Sequence, residues 1–301
     1  MKAAVVTSFA EPPHYRDFEA PRPRDGEITL DVVAVGLHPR TRSGAAGNHY
    51  TSTGRLPMIP GIDGVGRRAD GRLVYFVGGD DVLGTMAEQV AVDPRRTVEL
   101  PDDVDAARIA AAMNPAMSSW VALRRRVPVR PGQSVLVLGA AGNAGSMAMR
   151  VAKLLGAGEV LGAARRPGEG ILGLDEVARA GHVDLVLDYL WGEPAEQAIM
   201  AILTARSDRG RELNWVQIGS VAGPTIQLPS VALRSANFRL QGNGQGAVSA
   251  KAYLAELPAL IDEIGRGTIA IVPRPTPLSE VETAWAHRDA PGERTVLVTG
   301  R

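Results

Sequence analysis

The stretch that decides the fold is VLVLGAAGNAGSMAMRVAKLLGAG, residues 135–158. A run of branched apolar residues predicts a buried strand, the small residues after it predict a tight turn, and the remainder predicts a helix. Turns of this kind often hold the phosphates of a dinucleotide. Small residues also serve plain helix packing, so a tight turn without any nucleotide is the alternative.

The turn fits the dinucleotide-binding pattern G-x-G-x-x-G with one change, because Ala140 stands at the first position, before Gly142 and Gly145. Gly142 lets the backbone approach a pyrophosphate, and Gly145 lets the helix pack closely on the strand. The helix amino terminus adds free N–H groups and a partial positive charge. Cofactor contacts are therefore predicted at Ala140, Gly142, Asn143, Ala144 and Gly145.

The next strand indicates which cofactor is used. Enzymes that use NAD place Asp or Glu about 20 residues beyond the turn, where it binds the ribose 2′-hydroxyl. Here the strand ends in GAARRPGEG, residues 162–170, with Arg165 and Arg166 in place of the acid. A guanidinium suits a 2′-phosphate, so the sequence favours NADPH. Two solvated arginines on a loop are the alternative.

Composition excludes several classes of function. The 301 residues include 33 basic and 33 acidic side chains, which gives no long-range attraction to nucleic acid or to an anionic membrane. No apolar run is long enough to span a bilayer. The chain has no cysteine, which excludes disulfides, thiolate nucleophiles and thiolate-bound metals. We expect a soluble cytoplasmic protein that binds neither nucleic acid nor membrane.

The pattern of predicted strands and helices changes near residue 102. Residues 1 to about 100 consist of short β-like runs between turn residues, which predicts a barrel-like all-β unit. A helix is then predicted to begin at Asp102 or Asp103 and to be broken in two by Pro115. After it, strands and helices alternate, which predicts a parallel sheet. Residues 249–267 predict one amphipathic helix, and the tail predicts a short helix and a final strand.

Four blocks of sequence carry a family resemblance: LPMIPGIDGVG at 56–66, GTMAEQVAVD at 84–93, LPDDVDAARIAAAMNPAMSSWVAL at 100–123, and the glycine turn. In their order and spacing they resemble the medium-chain dehydrogenase/reductase superfamily, in its zinc-free quinone oxidoreductase branch. The resemblance implies an α/β protein with two domains. A GroES-like β-barrel domain would comprise residues 1–113 and 267–301, and a Rossmann-type doubly wound domain that binds NADPH would comprise residues 114–266.

The zinc-dependent relatives in this superfamily hold a catalytic metal at three positions, which here are His38, Ile62 and Asn114. Isoleucine cannot bind a metal, and asparagine is a poor zinc ligand, so only His38 could take part. No metal site is therefore expected. Without a Lewis acid, alcohol oxidation is disfavoured, whereas reduction of a quinone or an α,β-unsaturated carbonyl compound needs only hydride and a proton.

Two residues are candidates for catalysis. The resemblance places His38 near the nicotinamide, at a position that usually holds Asn, where it could donate a hydrogen bond or act as a general acid. Tyr50 lies near the position at which this branch has an active-site tyrosine. Its loop, residues 43–54, is longer than the resemblance implies. Either residue could be structural instead, with His38 bonded to backbone and Tyr50 closing its loop.

Further cofactor contacts are predicted where strands end and in the segment that leads into the second domain. Strand carboxyl ends face the ligand in doubly wound sheets, and the resemblance adds the remaining positions. For Asn114 and Ser118 the alternative is helix capping around Pro115, and for Asn243 it is an ordinary flexible connector. The predicted contacts are Asn114, Ser118, Asp188, Tyr189, Leu190, Gly219, Ser220 and Asn243.

The sequence therefore predicts an NADPH-dependent oxidoreductase that delivers hydride to a small electrophile, a quinone or an enone, without zinc. A redox sensor or partner-binding protein that holds NADPH without efficient turnover is the alternative from another class. An alcohol dehydrogenase is a third hypothesis, against which the missing metal ligands argue. The resemblance also implies a homodimer formed through an edge of the nucleotide-binding sheet.

Overall fold

A computed structural model describes residues 1–79 and 82–300. The chain divides into two compact units. The first unit comprises Met1–Asn114 and Leu257–Arg301, and the second comprises Pro115–Glu256. No helix in the described ranges is both long enough and apolar enough to cross a membrane.

The amino-terminal part of the first unit is mostly β-structure. Short apolar runs end at Gly, Pro or Asp, which gives many short strands with reversals between them. The strands are β1 Lys2–Val5, β2 His14–Asp17, β3 Ile28–Gly36, β4 Asp63–Arg67, β5 Leu73–Val77, β6 Gln89–Val92 and β7 Thr97–Glu99. One short helix that the sequence did not predict, α1 Pro39–Ala45, follows β3, with proline at its first position.

Helix α2, Ala106–Val121, differs from its prediction in two ways. It begins later, because Asp105 accepts hydrogen bonds from the backbone N–H groups of Ala107 and Arg108, at 2.9 and 3.2 Å. It also continues through Pro115, so the predicted break is wrong. Proline inside a helix costs about 3 kcal/mol. Much of α2 is fully buried, and that apolar burial offsets the lost hydrogen bond.

The second unit contains a parallel sheet of six strands in the order β10-β9-β8-β11-β12-β13. Numbered within the sheet, this is 3-2-1-4-5-6, the order typical of dinucleotide-binding folds. The strand order reverses between β8 and β11, so a ligand crevice is expected at their carboxyl ends. The strands are β8 Ser134–Leu138, β9 Glu159–Ala164, β10 Ile171–Gly173, β11 Leu185–Asp188, β12 Leu213–Gln217 and β13 Phe238–Gly242.

The predicted alternation of strands and helices is confirmed in this unit, although the three-residue edge strand β10 was missed. All five residues of β8 are buried, as expected for a central parallel strand. The helices are α3 Asn143–Leu154, α4 Gly192–Ala205, α5 Ser230–Arg234 and α6 Ala250–Leu254.

The single amphipathic helix predicted over 249–267 is wrong, because it is two helices, α6 and α7 Leu257–Gly265. The buried carboxylate of Glu256 lies between them and accepts a hydrogen bond from the Trp120 indole at 3.1 Å. The unit boundary falls at this break, so residues 257–266 belong to the first unit rather than to the nucleotide-binding unit. Four buried apolar residues of α7 bring the helix into that unit: Leu257, Leu260, Ile261 and Ile264.

The carboxyl-terminal segment completes the first unit. It forms β14 Val272–Pro277, α8 Val281–Ala286 and β15 Glu293–Val298. These strands join the main sheet, whose order is β14-β15-β3-β4-β5-β7, with β6 paired to β3. The final strand is therefore hydrogen-bonded to β3, far away in sequence, and the tail lies in the first unit.

Candidate functional site

The glycine turn between β8 and α3 is built around two glycines. Gly139 ends the strand in the left-handed region, at φ +86°, which favours glycine. A Cβ on Gly145 would lie 2.2 Å from the carbonyl oxygen of Gly139, so only glycine fits there. The helix is thereby drawn tightly against the strand end, as the sequence predicted for Gly145.

The first turn of α3 begins after Gly142, the N-cap residue, and has no side chain that caps it. The first turn contains no acidic residue. The absence of a side-chain cap, the absence of an acid and the helix dipole therefore favour an anion at this terminus. The predicted residues Ala140, Asn143 and Ala144 lie in the same turn, and Ala140 is buried.

The predicted arginine pair lies directly beyond β9. Ala164 is buried, whereas Arg165 and Arg166 are exposed. The backbone N–H groups of Gly139 and Ala140 both donate to the carbonyl oxygen of Ala163, at 2.9 and 3.2 Å, which fixes the strand end beside the glycine turn. Both arginines therefore lie near the turn in the same unit, and their charge suits a phosphate.

The loop after β11 is held by a carboxylate. Asp188 is fully buried, and its oxygens accept from the backbone N–H groups of Leu190 and Trp191, at 2.8 and 3.0 Å, and from the Trp215 indole at 3.1 Å. Burial raises the pKa of Asp188 above its usual value. Trp191 has φ +54°, a strained value for a residue with a side chain, and these hydrogen bonds hold it there. Asp188 thus positions the loop.

Three predicted contacts are brought together by hydrogen bonds. The hydroxyls of Ser118 and Tyr189 are 2.9 Å apart, and the Asn243 side chain donates to the Ser118 carbonyl oxygen at 2.9 Å. Burial raises the pKa of Tyr189 to about 12, so its hydroxyl stays protonated at neutral pH. The segment after α2's proline and the loops after β11 and β13 therefore form one connected wall in the second unit.

The loop after β12 packs on the same wall. A Cβ on Gly219 would lie 2.7 Å from the Tyr189 carbonyl oxygen, so glycine is required for this approach. The Ala222 N–H donates to the Leu190 carbonyl oxygen at 2.8 Å, which ties the two loops together. Ser220 lies between these contacts and is exposed.

The predicted catalytic histidine lies inside the first unit. His38 is only 1% exposed, and neither ring nitrogen has a hydrogen-bond partner in the described part of the chain. Its Nε2 is 4.0 Å from Oδ1 of Asp63, which is also buried. Burial, aided by the charge of Arg294, lowers the pKa of His38 well below its usual value, so the ring is neutral at pH 7.

Asp63 was missed by the sequence reasoning. Burial raises its pKa to about 6, and the Tyr75 hydroxyl donates to its Oδ2 at 2.6 Å. Its place beside Ile62 in the PGIDG block was the available signal, because an acid inside an apolar block needs a partner. The buried pair of His38 and Asp63 is called the His38–Asp63 pair below.

Tyr50 and Asn114 lie in contrasting surroundings. Tyr50 is 70% exposed, and its ring lies 4.3 Å from that of His49, centroid to centroid. Asn114 lies inside α2 and is the last residue of the first unit's amino-terminal segment. The catalytic role predicted for Tyr50 and the cofactor contact predicted for Asn114 stay predictions.

One cluster of metal-binding residue types occurs in the described ranges: His287, Asp289 and Glu293. Asp289 already accepts from the Thr295 backbone N–H and hydroxyl, at 2.9 and 2.6 Å. It also pairs with Arg294 at 3.2 Å. These partners neutralise the cluster, and we assign no metal to it.

A small open pocket with a volume of about 30 Å³ lies in the first unit. It lies between α1, the loop that follows it and the approach to β4. Its lining includes Phe9, Arg40, Thr41, Thr51, Arg55 and Ile62.

Gly139 was also missed as a site residue, although it was visible in the sequence. Its left-handed backbone makes the turn, and a Cβ there would lie 3.1 Å from the Leu190 side chain. A glycine directly after a buried apolar strand is the signal that identifies such a position.

No family model matches the chain. A probable NADPH-dependent quinone reductase of Emericella nidulans is 31% identical, over 99% of this chain and 100% of that protein. The quinone oxidoreductase of Thermus thermophilus, also solved in complex with NADPH, superposes with a TM-score of 0.81 and 29% identity, over 99% of this chain and 100% of that chain. A quinone oxidoreductase of Pseudomonas syringae has the same fold, with a TM-score of 0.81, 21% identity, and coverage of 99% of this chain and 100% of that one.

The chain belongs to the quinone oxidoreductase branch of the medium-chain dehydrogenase/reductase superfamily. The family and fold class predicted from sequence are thereby confirmed, and the protein is an oxidoreductase. The strand order of the second unit and the glycine turn are the features of this chain that agree most directly with that membership.

Proposed function

We propose that this oxidoreductase uses NADPH to reduce a quinone, with an α,β-unsaturated carbonyl compound as the second class of acceptor. The observation that carries the proposal is the turn in which Gly145 packs against Gly139 at the amino end of α3, with Arg165 and Arg166 beyond the neighbouring strand. Bound NADPH supplies a hydride, and the quinone takes up that hydride and one proton to become a hydroquinone.

The second unit provides the residues that would hold the cofactor. The amides at the start of α3 suit the pyrophosphate, because they are uncapped and no acid lies in the first turn. Arg165 and Arg166 suit the 2′-phosphate, because a guanidinium offers paired, charged donors. The names of the Emericella and Thermus proteins, which mention NADPH, support the same choice.

Three loops at the carboxyl ends of β11, β12 and β13 would line the rest of the cofactor site. Leu190, Gly219 and Ser220 contribute their backbone or exposed side chains, while Asn243 and Ser118 tie the loops into one wall. Asp188 acts through the loop that it holds, because its own oxygens are already bonded. Because these loops are already held in place, binding the cofactor loses little conformational entropy in them.

Reduction without zinc is part of the proposal. Of the three positions that hold zinc in relatives, Ile62 has no donor atom. A hydroquinone anion is protonated readily from water, so no buried acid is needed. Tyr50, which is exposed, is the protein's own candidate for the proton, while His38, which is buried and neutral, is a candidate donor of a hydrogen bond to the substrate.

The test is to mix the protein with NADPH and a panel of quinones and enones and to follow the absorbance of the reduced cofactor. The proposal predicts steady NADPH consumption with at least one quinone and slower consumption with NADH. Tight NADPH binding without turnover across the panel would favour a redox sensor or partner-binding protein instead.

We also propose that the protein is a cytoplasmic homodimer that binds neither nucleic acid nor membrane. The strand β13 ends the six-stranded sheet and offers an unpaired edge within the described sheet. Two exposed apolar residues, Val231 and Leu233, lie on α5, which precedes it. Light scattering coupled to gel filtration should give twice the chain mass of 31.8 kDa. Cell fractionation tests the location.

A further inference from the structure

We propose that the indole of Trp191 stacks on the adenine ring of NADPH and forms one wall of the adenosine site in the second unit. This inference rests on the proposed use of NADPH, and it adds a residue to the predicted cofactor contacts. The backbone of Trp191, its partial exposure and its place in the sheet each support it.

The backbone of Trp191 is held in an unfavourable conformation. Its φ of +54° and ψ of −163° lie close to a region that glycine alone adopts readily. It is the only residue other than glycine with a positive φ in the described ranges. Asp188 holds the loop from one side, and on the other a Cβ on Gly192 would lie 2.9 Å from the Ala222 carbonyl oxygen. Strain that the surroundings maintain in this way is typical of ligand sites.

Trp191 also differs from the other two tryptophans of the second unit. Trp120 and Trp215 are buried, and their indoles donate to the carboxylates of Glu256 and Asp188. Trp191 packs against the apolar core of the same unit but stays partly exposed. Core packing alone does not require a strained backbone, whereas a partly open indole offers a flat apolar surface to another ring.

The sheet order places Trp191 across the glycine turn from the arginine pair. Strands β9 and β11 flank β8, so the loops at their carboxyl ends are about 10 Å apart, which leaves room for one flat ring between side chains. The neighbouring Leu190 already reaches the turn, because a Cβ on Gly139 would lie 3.1 Å from its side chain. The loop that carries Trp191 therefore borders the crevice at the point where the strand order reverses.

The adenine is favoured over the nicotinamide as the ring that Trp191 contacts. The 2′-phosphate and the adenine are attached to the same ribose, so the adenine is expected near Arg165 and Arg166, beyond β9. The loops after β12 and β13, which would line the other half of the cofactor, lie on the opposite side of β11. Trp191 thus borders the half of the crevice in which the arginine pair lies.

The experiment is a calorimetric titration of the full-length protein with adenosine 2′,5′-bisphosphate and, separately, with reduced nicotinamide mononucleotide. Trp191→Gly removes the indole and suits the backbone at this position, so the fold should be kept. We expect its Kd for the bisphosphate to rise about tenfold and its Kd for the nicotinamide fragment to stay unchanged. Trp191→Phe keeps an aromatic ring and should recover most of the affinity.

Met200→Ala is the matched control, because Met200 is also partly buried and packs on the same core, but from the middle of α4. It should bind the bisphosphate as the wild type does. A second readout is tryptophan fluorescence, which the bisphosphate should quench in the wild type but not in Trp191→Phe. The loss of packing alone would not produce that difference.

An equal Kd for the bisphosphate in the wild type and Trp191→Gly, or an equal rise in Met200→Ala, would overturn the inference. A rise confined to the nicotinamide fragment would assign Trp191 to the other ring and overturn it as well. These titrations need no turnover, so either result leaves the proposed quinone reduction standing. If the wild type does not bind the bisphosphate at all, it has no adenosine site, and the inference and the proposed use of NADPH both fail.

Discussion

The glycine turn of the second unit and the His38–Asp63 pair of the first unit place polar groups in opposite surroundings. The turn leaves a helix terminus without a side-chain cap, and its only strict requirement is the absence of side chains at Gly139 and Gly145. The pair buries two titratable side chains with polar atoms unpartnered within the described chain. The first arrangement is ready for an anion from outside, whereas in the second burial favours the neutral form of both groups, which lowers the pKa of His38 and raises that of Asp63.

The largest expected effect is on the turn. In Gly145→Ala the new Cβ would lie 2.2 Å from the Gly139 oxygen, so helix and strand must separate. We expect the free energy of unfolding to fall by about 3 kcal/mol and NADPH binding to be lost. Chemical denaturation and fluorescence titration with NADPH measure the two effects.

Gly142→Ala is the matched control for that experiment. Its Cβ would meet nothing closer than 3.4 Å, and its φ is −82°, which any residue adopts. Stability should change by less than about 0.5 kcal/mol. NADPH affinity should still fall, because the methyl group occupies the surface over which the pyrophosphate is expected. Equal stability of Gly145→Ala and the wild type would disprove the packing account of the turn.

The His38–Asp63 pair predicts a pH-dependent stability. Burial raises the pKa of Asp63 from 3.8 to about 6, so the folded state binds a proton more tightly than the unfolded state does. The wild type should therefore gain stability relative to Asp63→Asn as the pH falls from 7 to 4. The part of this shift that falls within the window corresponds to about 2 kcal/mol. Urea unfolding of both proteins at several pH values measures it.

Asp102→Asn is the control, since Asp102 is exposed. Its stability relative to the wild type should stay nearly constant over the same window. A difference between wild type and Asp63→Asn that is also constant would mean that burial does not raise the pKa of Asp63.

The next largest effect is expected on the preference for NADPH over NADH. In Arg165→Ala/Arg166→Ala the preference for NADPH over NADH, as a ratio of kcat/KM values, should fall about tenfold, which removes about 1.4 kcal/mol of discrimination. Stability should not change, because both side chains are exposed. Lys153→Ala removes an exposed charge from the same unit and should keep the preference. A preference that the double variant retains would separate these arginines from the 2′-phosphate.

The smallest effect is expected at Tyr50. Because the ring is 70% exposed and water can protonate a hydroquinone anion, Tyr50→Phe should lower kcat by less than about threefold. Steady-state kinetics at saturating quinone test this. A fall of a hundredfold would make the Tyr50 hydroxyl the proton donor and would contradict protonation from solvent.

The two regions also differ in how far sequence alone could predict them. The glycine turn depends on neighbours within a few residues, so its pattern predicted the fold of the second unit, and together with three other blocks it indicated the family. Gly139 was the exception, because its place directly after the strand was visible but its left-handed backbone was not predicted. The sequence placed Asp188 at the right strand end but could not show that Trp215 and two amides occupy its oxygens.

The first unit was less predictable because its contacts are distant in sequence. His38 owes its lowered pKa partly to Arg294, and no local pattern links them. The continuity of α2 through Pro115 depends on burial along the helix, which outweighs a local rule about proline. The break at Glu256, which sets the unit boundary, likewise depends on Trp120 far back in the chain.

The most direct test of the central claim is an anaerobic reaction of the protein with NADPH and naphthoquinone, in which both the consumed NADPH and the formed hydroquinone are measured. The account predicts one hydroquinone for each NADPH, at a rate that Gly142→Ala lowers in parallel with NADPH affinity. If NADPH binds to the turn but is not consumed when a quinone is present, the protein is not a quinone reductase and the account is contradicted.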